Sequence, residues 1–84
     1  SNSTLTIEPN PSFNNSILTV FFKIPTTTTI RAIGLNGKAT AFTTQLLEGE
    51  NRILLSHFNE LPSGFYVVEV IAEGQRKSVK WVKL

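Results

Sequence analysis

Leu61-Pro62-Ser63-Gly64-Phe65-Tyr66-Val67-Val68-Glu69-Val70-Ile71-Ala72 reads as a turn running into a strand, followed by a reversal at Glu73-Gly74-Gln75 and a returning strand from Arg76 to Leu84. Pro62 and Gly64 oppose helix at the start. Side chains alternate across a strand, so Tyr66, Val68, Val70 and Ala72 share one uninterrupted apolar face. Phe65, Val67, Glu69 and Ile71 on the other face are also mostly apolar. The strand is therefore expected to be central and covered on both sides, or else partly exposed for a partner. Its aromatic start, just after Leu-Pro-x-Gly, suits a ring that covers one end of a two-layer β core while its hydroxyl bonds backbone a few residues upstream.

Working outward, the chain is rich in Thr and other β-branched and aromatic residues, and no segment sustains an apolar period of 3.6. Thr4 to Ile7 is a short first strand closed by Pro9-Asn10-Pro11, whose two fixed φ angles stiffen the chain there. Asn14-Asn15 is a turn. Ser16 to Ile24 alternates, with Leu18, Val20, Phe22 and Ile24 on one face, and predicts a half-buried central strand ended by Pro25. Thr26 to Thr29 reads as a loop leading into a strand from Ile30 to Leu35, with Ile30 and Ala32 facing the core. Asn36-Gly37 predicts a type I′ hairpin turn, because both residues tolerate positive φ. Lys38 to Leu46 returns with Phe42 as its apolar anchor. Glu48-Gly49-Glu50-Asn51 is the next turn, and Arg52 to Ser56 a strand carrying Ile53 and Leu55 inward. His57 to Glu60 fits a short helical turn, with Phe58 and Leu61 closing one end of the core. Seven short strands, with turn signals roughly every 8–12 residues and a Tyr opening the sixth, predict an all-β, immunoglobulin-like seven-stranded antiparallel β-sandwich.

Eighty-four residues make one domain. A chain this short buries only roughly 60–65% of its unfolded surface, so its stability is thin. With no Met at position 1 and no signal-peptide pattern, the sequence reads as a piece of a longer chain; residues 1–6 are expected to be a linker or cloning remnant plus the start of the first strand, and residues 7–84 the single domain. Cys and Asp are absent and the one His is His57, so disulfides, thiolate metal sites and a Ser-His-Asp triad are all excluded. Six scattered Glu lack metal-ligand spacing, and no Gly-rich phosphate loop occurs; neither catalysis nor a cofactor is expected. The net charge of +2 conceals an asymmetry. Arg76, Lys77, Lys80 and Lys83 lie in a stretch, Gln75–Leu84, that holds no acid, whereas the remaining chain is net acidic. One end therefore reads as the place where a partner is met. Cations flanking Trp81 could bind nucleic acid, but the small total charge, a core role for Trp81 and edge protection by strand lysines argue against it. No apolar run is long enough to span a bilayer as a helix. Asn2-Ser3-Thr4 and Asn14-Asn15-Ser16 match the glycosylation sequon, a pattern common by chance.

Several of these segments recur together in one family. Pro9-Asn10-Pro11 opens the domain, Leu35-Asn36-Gly37-Lys38 forms a Leu-x-Gly-Lys turn, and Gly49 to Ile53 gives Gly-x-x-x-Ile. Ser56 to Leu61 gives Ser-x-x-x-x-Leu, Gly64-Phe65-Tyr66 precedes alternating valines, and Lys77 to Leu84 is a short basic-apolar strand. In this order and spacing the chain, from about Ile7 to Leu84, resembles the C-terminal sorting domain of proteins exported by the type IX secretion system of Bacteroidetes. Gly34 departs from the acidic residue common before the turn, and Ile7-Glu8 from the usual aromatic before Pro-Asn-Pro.

The resemblance implies an address label rather than an activity. A cargo fused on the N-terminal side would cross the outer membrane through the type IX machinery, with transit through the periplasm and delivery to the cell surface or medium. A processing protease would cut at or before Ser1–Thr6. The recognised surface would be Arg76, Lys77, Lys80, Val82, Lys83 and Leu84, with Pro9, Asn10, Pro11, Gly37, Lys38, Gly64 and Tyr66 as structural motif residues. Neither nucleic acid nor stable membrane insertion is implied. A fibronectin type III-like spacer, which Leu61-Pro62-x-Gly64-x-Tyr66 also resembles, and a carbohydrate-binding accessory module are the competing readings. The first lacks its usual Trp in the second strand, where Val20-Phe21-Phe22 stands, and the second needs exposed aromatics.

Overall fold

Alternating apolar and polar side chains build seven strands: β1 (Leu5–Glu8), β2 (Ile17–Phe22), β3 (Thr26–Gly34), β4 (Ala39–Leu46), β5 (Gly49–Leu54), β6 (Gly64–Ala72) and β7 (Gln75–Lys83). A 3₁₀ turn, Ser56–Phe58, crosses between β5 and β6. The computed structural model describes residues 5–12, 14–72 and 74–84; the Asn2-Ser3-Thr4 sequon, Thr4 of the predicted first strand and Glu73 of the predicted reversal lie outside them. The strands form two antiparallel sheets, one ordered β1-β2-β5 and the other β4-β3-β6-β7. This is the expected immunoglobulin-like sandwich, in a version where the fourth strand stays beside the third through a hairpin.

The core lies between the sheets. Leu18 of β2 packs with Ile30 and Ala32 of β3, Val68 and Val70 of β6 and Trp81 of β7, Val20 is buried as well, and Leu55 and Phe58 close one end. Full burial of each such side chain is worth about 1.5–3 kcal/mol, and no disulfide adds to it in a chain without Cys. β6 is central, as predicted, and of the two alternatives its outer face is partly exposed: Phe65 and Val67 are 61% and 38% exposed, whereas Glu69 is buried. At the start of β6 the Tyr66 hydroxyl donates to the Pro62 carbonyl, the anticipated tyrosine corner. The Tyr66 ring also lies against Gly34, where an added Cβ would meet it at 3.3 Å.

Four local expectations are corrected. Gly37 alone of the Asn36-Gly37 pair has positive φ (83°), the Gly37 N–H bonds the Gly34 carbonyl, and the Gly34 N–H bonds the Lys38 carbonyl. The hairpin therefore closes with a type I turn and a glycine bulge rather than a type I′ turn. Asn36 favours this form because its side-chain oxygen accepts the Lys38 N–H at 3.0 Å. Thr26–Thr29 is the first half of β3, not a loop: Thr28 is 2% exposed, and its hydroxyl is satisfied by the Ile71 carbonyl at 2.7 Å. β5 begins at Gly49 rather than Arg52, because the buried Asn51 side chain bonds the backbone of Leu47 and Gly49 and tightens the preceding turn. Ile24 falls beyond the end of β2 and is 53% exposed.

One hydroxyl ties the two sheets together. The Ser16 side chain, 0% exposed, donates to the Pro9 carbonyl at 2.9 Å and accepts the Trp81 indole N–H at 3.2 Å, with the Ser12 hydroxyl also in bonding contact. A hydroxyl offers one donor and two lone pairs, so its capacity is full. Ser16→Ala would strand the buried Trp81 N–H and Ser12 hydroxyl and is expected to cost about 2–4 kcal/mol. Tyr66→Phe, which removes one bond, is expected to cost about 1 kcal/mol. Urea unfolding measures both; a Ser16→Ala midpoint equal to the parent's would remove the network from the account of stability.

Candidate functional site

β7 is an edge strand by sheet order, and half of that edge is occupied. Pairing of β6 with β7 turns the N–H and C=O groups of the even-numbered β7 residues away from β6. At Lys80 and Val82 these groups meet Asn10, whose side-chain amide donates to the Lys80 carbonyl at 2.9 Å and accepts the Val82 N–H at 3.0 Å. An Asn side chain carries a donor and an acceptor side by side, so it substitutes for one residue of a neighbouring strand. Ser12 continues the pattern through its backbone, donating to the Val82 carbonyl at 3.0 Å and accepting the Leu84 N–H at 2.8 Å in a short parallel bridge. Pro9 and Pro11 flank Asn10, and the Glu8-Pro9 and Asn10-Pro11 peptide bonds are both cis. The Pro-Asn-Pro motif and the last strand are thus one structure.

The remaining motif residues gather at the same end. Gly64, with φ of 152°, pairs with Lys83, Tyr66 pairs with Trp81, and Gly34 of the adjacent hairpin pairs with Tyr66. Gly37 and Lys38 lie in the turn of that hairpin, next to Leu35, which is 86% exposed.

The period of two divides the six residues expected to be recognised. Arg76, Lys80, Val82 and Leu84 face outward, whereas Lys77 and Lys83 face the inner side. Lys77 is half-buried, with its ammonium 5.0 Å from the centre of the Phe22 ring, a cation–π contact. Lys83 is 7% exposed and, among the described residues, makes no ion pair. The outward set is joined across the sheet by neighbours not singled out from sequence: Val82 lies opposite Phe65, and Lys80 opposite Val67, which in turn pairs with Ile33. The signal for them was the apolar outer face of β6, from which sequence could not say whether it was covered.

Beyond this apolar end the outer face becomes charged. Glu69 accepts from Arg31 Nη2 at 2.7 Å and Nε at 3.1 Å, and Arg76 Nε stands 3.8 Å from its other oxygen. Among the described residues of this face, Arg31, Arg76 and Lys80 thus outnumber the Glu69 carboxylate. Lys80 is, among the described residues, the exposed cation there that these ion pairs leave free. At the other side of the core His57 stacks on Phe42, ring centres 4.1 Å apart, which gives it a packing role. Among the described residues no group of three His, Cys, Asp or Glu could hold a metal ion, and no helix is long and apolar enough to cross a membrane.

The clamp has a measurable consequence. Asn10→Ala removes both side-chain bonds to β7 and is expected to cost about 1–2 kcal/mol, with hydrogen exchange at the Val82 amide faster by about tenfold or more. Unchanged protection at Val82 would show that Asn10 does not hold the strand.

No curated protein matches the sequence. The family described as "Secretion system C-terminal sorting domain" matches residues 6–84, which include the Pro-Asn-Pro clamp, the hairpin turn, the tyrosine corner and the last strand. That family implies a secreted or cell-surface protein, dealings with the secretion machinery and a role other than catalysis, and it favours neither spacer nor carbohydrate-binding module. The chain belongs to the C-terminal sorting domains of type IX secretion, the signals that direct Bacteroidetes proteins to export.

Proposed function

We propose that this domain is a non-catalytic label read by the outer-membrane secretion machinery on the outer face of β6 and β7. Lys80, Val82 and Leu84, with Phe65 and Val67 beside them, form the contact, and Arg76 supplies charge at its margin. Lys77 and Lys83 contribute potential rather than direct contact, because their side chains lie on the inner side. The observation that carries this reading is an exposed apolar surface beside a cation that is unpaired among the described residues, built on the strand that the family's motif residues clamp at its edge. Unpaired cations act over about one Debye length, ~8 Å, and speed encounter with an acidic partner, while the apolar side chains give the docked state its affinity.

The rest of the route follows from the same reading. The N-terminal cargo and the label reach the periplasm together, the folded label is recognised at the outer membrane, and a processing protease cuts within or before residues 1–6, ahead of the domain at residues 7–84. Deleting the last strand is a poor test, because it would also remove Trp81, which is 2% exposed in the core. The better variants change only outward side chains. In a type IX-competent bacterium carrying a reporter fused ahead of this domain, Lys80→Glu combined with Phe65→Ser is expected to lower surface display at least tenfold and leave the reporter in the periplasm. Arg52→Glu, on the opposite sheet, is expected to leave display unchanged. Parental display by the Lys80→Glu/Phe65→Ser protein, with its thermal midpoint retained, would refute this surface as the recognised one.

A further inference from the structure

The two sheets end in four edge strands, β1, β5, β4 and β7, and three of them carry charge. β1 contains Glu8 and runs into Pro9, β5 contains Glu50 and Arg52, and β7 contains Arg76, Lys77, Lys80 and Lys83 and is half covered by Asn10 and Ser12. Charges, prolines and covering segments are what keep an edge from pairing with another chain. β4 has no charge or proline, and among the described residues none bonds its outer edge. Ala39-Thr40-Ala41-Phe42-Thr43-Thr44-Gln45-Leu46 is an eight-residue strand without charge or proline, and Ala39, Thr40, Ala41, Thr43 and Gln45 are exposed.

The hairpin fixes which backbone groups are free. The bond from the Gly34 N–H to the Lys38 carbonyl sets the phase of the ladder, so Thr40, Phe42 and Thr44 exchange bonds with β3. The N–H and C=O groups of Ala39, Ala41, Thr43 and Gln45 then point away from the sheet. Charge decides the orientation of any strand added there. Lys38 precedes β4 and Glu48 follows it. A second β4 laid parallel would set Lys38 beside Lys38 and Glu48 beside Glu48, whereas an antiparallel one brings each Lys38 toward the other copy's Glu48. Pairing β4 with β7 of a second copy is opposed by the clamp and the cations on β7. A symmetric β4–β4 contact, by contrast, uses each copy's open edge and stops at two chains.

We propose that β4 is a self-association edge: two copies of this chain pair β4 to β4, antiparallel, about a two-fold axis at Phe42, and so join two four-stranded sheets into one. In this register Ala41 of one copy lies opposite Thr43 of the other, Ala39 lies opposite Gln45, and the two Phe42 residues face each other in the close, non-hydrogen-bonded pairing. The inference does not depend on the export reading.

Sedimentation equilibrium of the 84-residue chain from micromolar to millimolar concentration tests it. The average mass is expected to rise from that of one chain toward that of two. In parallel, the Ala41 and Thr43 amides should gain hydrogen-exchange protection with concentration, while the Arg76 and Ser78 amides on the other edge do not. Ala41→Lys with Thr43→Lys sets like charges opposite one another and is expected to stay at the mass of one chain. Ala41→Lys with Thr43→Glu sets opposite charges together and is expected to associate again. Both side chains replaced, Ala41 and Thr43, are exposed, and thermal melts of dilute samples confirm that each variant is folded. A parent that keeps the mass of one chain at millimolar concentration overturns the proposal, as does a doubly lysine-substituted variant that pairs as the parent does.

Discussion

The hydrogen bond from the Trp81 indole to the Ser16 hydroxyl is the point on which the two ends of this chain depend. Trp81 is the largest fully buried side chain, and its N–H must be satisfied inside the core. Ser16 meets that need from the start of β2, 65 residues away in sequence. The same hydroxyl reaches the Pro9 carbonyl and contacts Ser12, so the residue that satisfies the core also seats the segment that clamps β7. The Ser16 carbonyl in turn accepts the Leu55 N–H, which holds the end of β5 to the same point. Such long-range closure is costly in entropy until several contacts form together, which makes the N-terminal segment and the last strand a single cooperative unit. The surface on β7 is therefore displayed by the folded domain and not by the last strand alone.

On the proposed reading, that dependence lets one strand stabilise the fold and carry the recognised surface at once. Strand geometry sends Val79, Trp81 and the stems of Lys77 and Lys83 inward, where they pack, and sends Lys80 and Val82 outward. On the outward side the Glu69 carboxylate is tied up by Arg31 and lies near Arg76, so it does not cancel Lys80 two positions along the sheet. At this end of β7 the Lys80 carbonyl, the Val82 N–H and carbonyl and the Leu84 N–H, all turned away from β6, are taken by Asn10 and Ser12. Recognition there falls to side chains, because those main-chain groups are not free to take another strand.

Most of the architecture was legible because side-chain alternation is a local property. Leu18 with Val20, Ile30 with Ala32, and Val68 with Val70 each announced a buried face, and all six are buried. The tyrosine corner was readable for the same reason, since Tyr66 and Pro62 lie four residues apart. What escaped reading depended on distant partners. Thr28 looked like loop composition until the Ile71 carbonyl supplied its hydroxyl with an acceptor across the sheet. The Asn36-Gly37 pair allowed two turns, and the competing bond from the Lys38 N–H to the Asn36 side chain selected the bulged one. At the site, the motif and the basic strand were both visible, but not that Asn10 pairs with β7 or that Lys77 and Lys83 turn inward. Their sequence spacing from Lys80 already implied the latter: odd and even positions of a strand cannot share a face.

The sheet β4-β3-β6-β7 treats its two edges differently, and the difference matters for how recognition and association could coexist. β7 is clamped and cationic, and β4 is open and neutral. The two strands are separated by β3 and β6, so pairing through β4 extends the sheet on the side away from β7 and leaves Lys80, Val82 and Phe65 uncovered. In a two-fold pair both clamped strands would lie at the outer margins of the joined sheet, each with its outward face free. A single copy and a pair would thus offer the same surface, once or twice, and a pair would bind a receptor array with the gain in effective concentration that two linked sites provide.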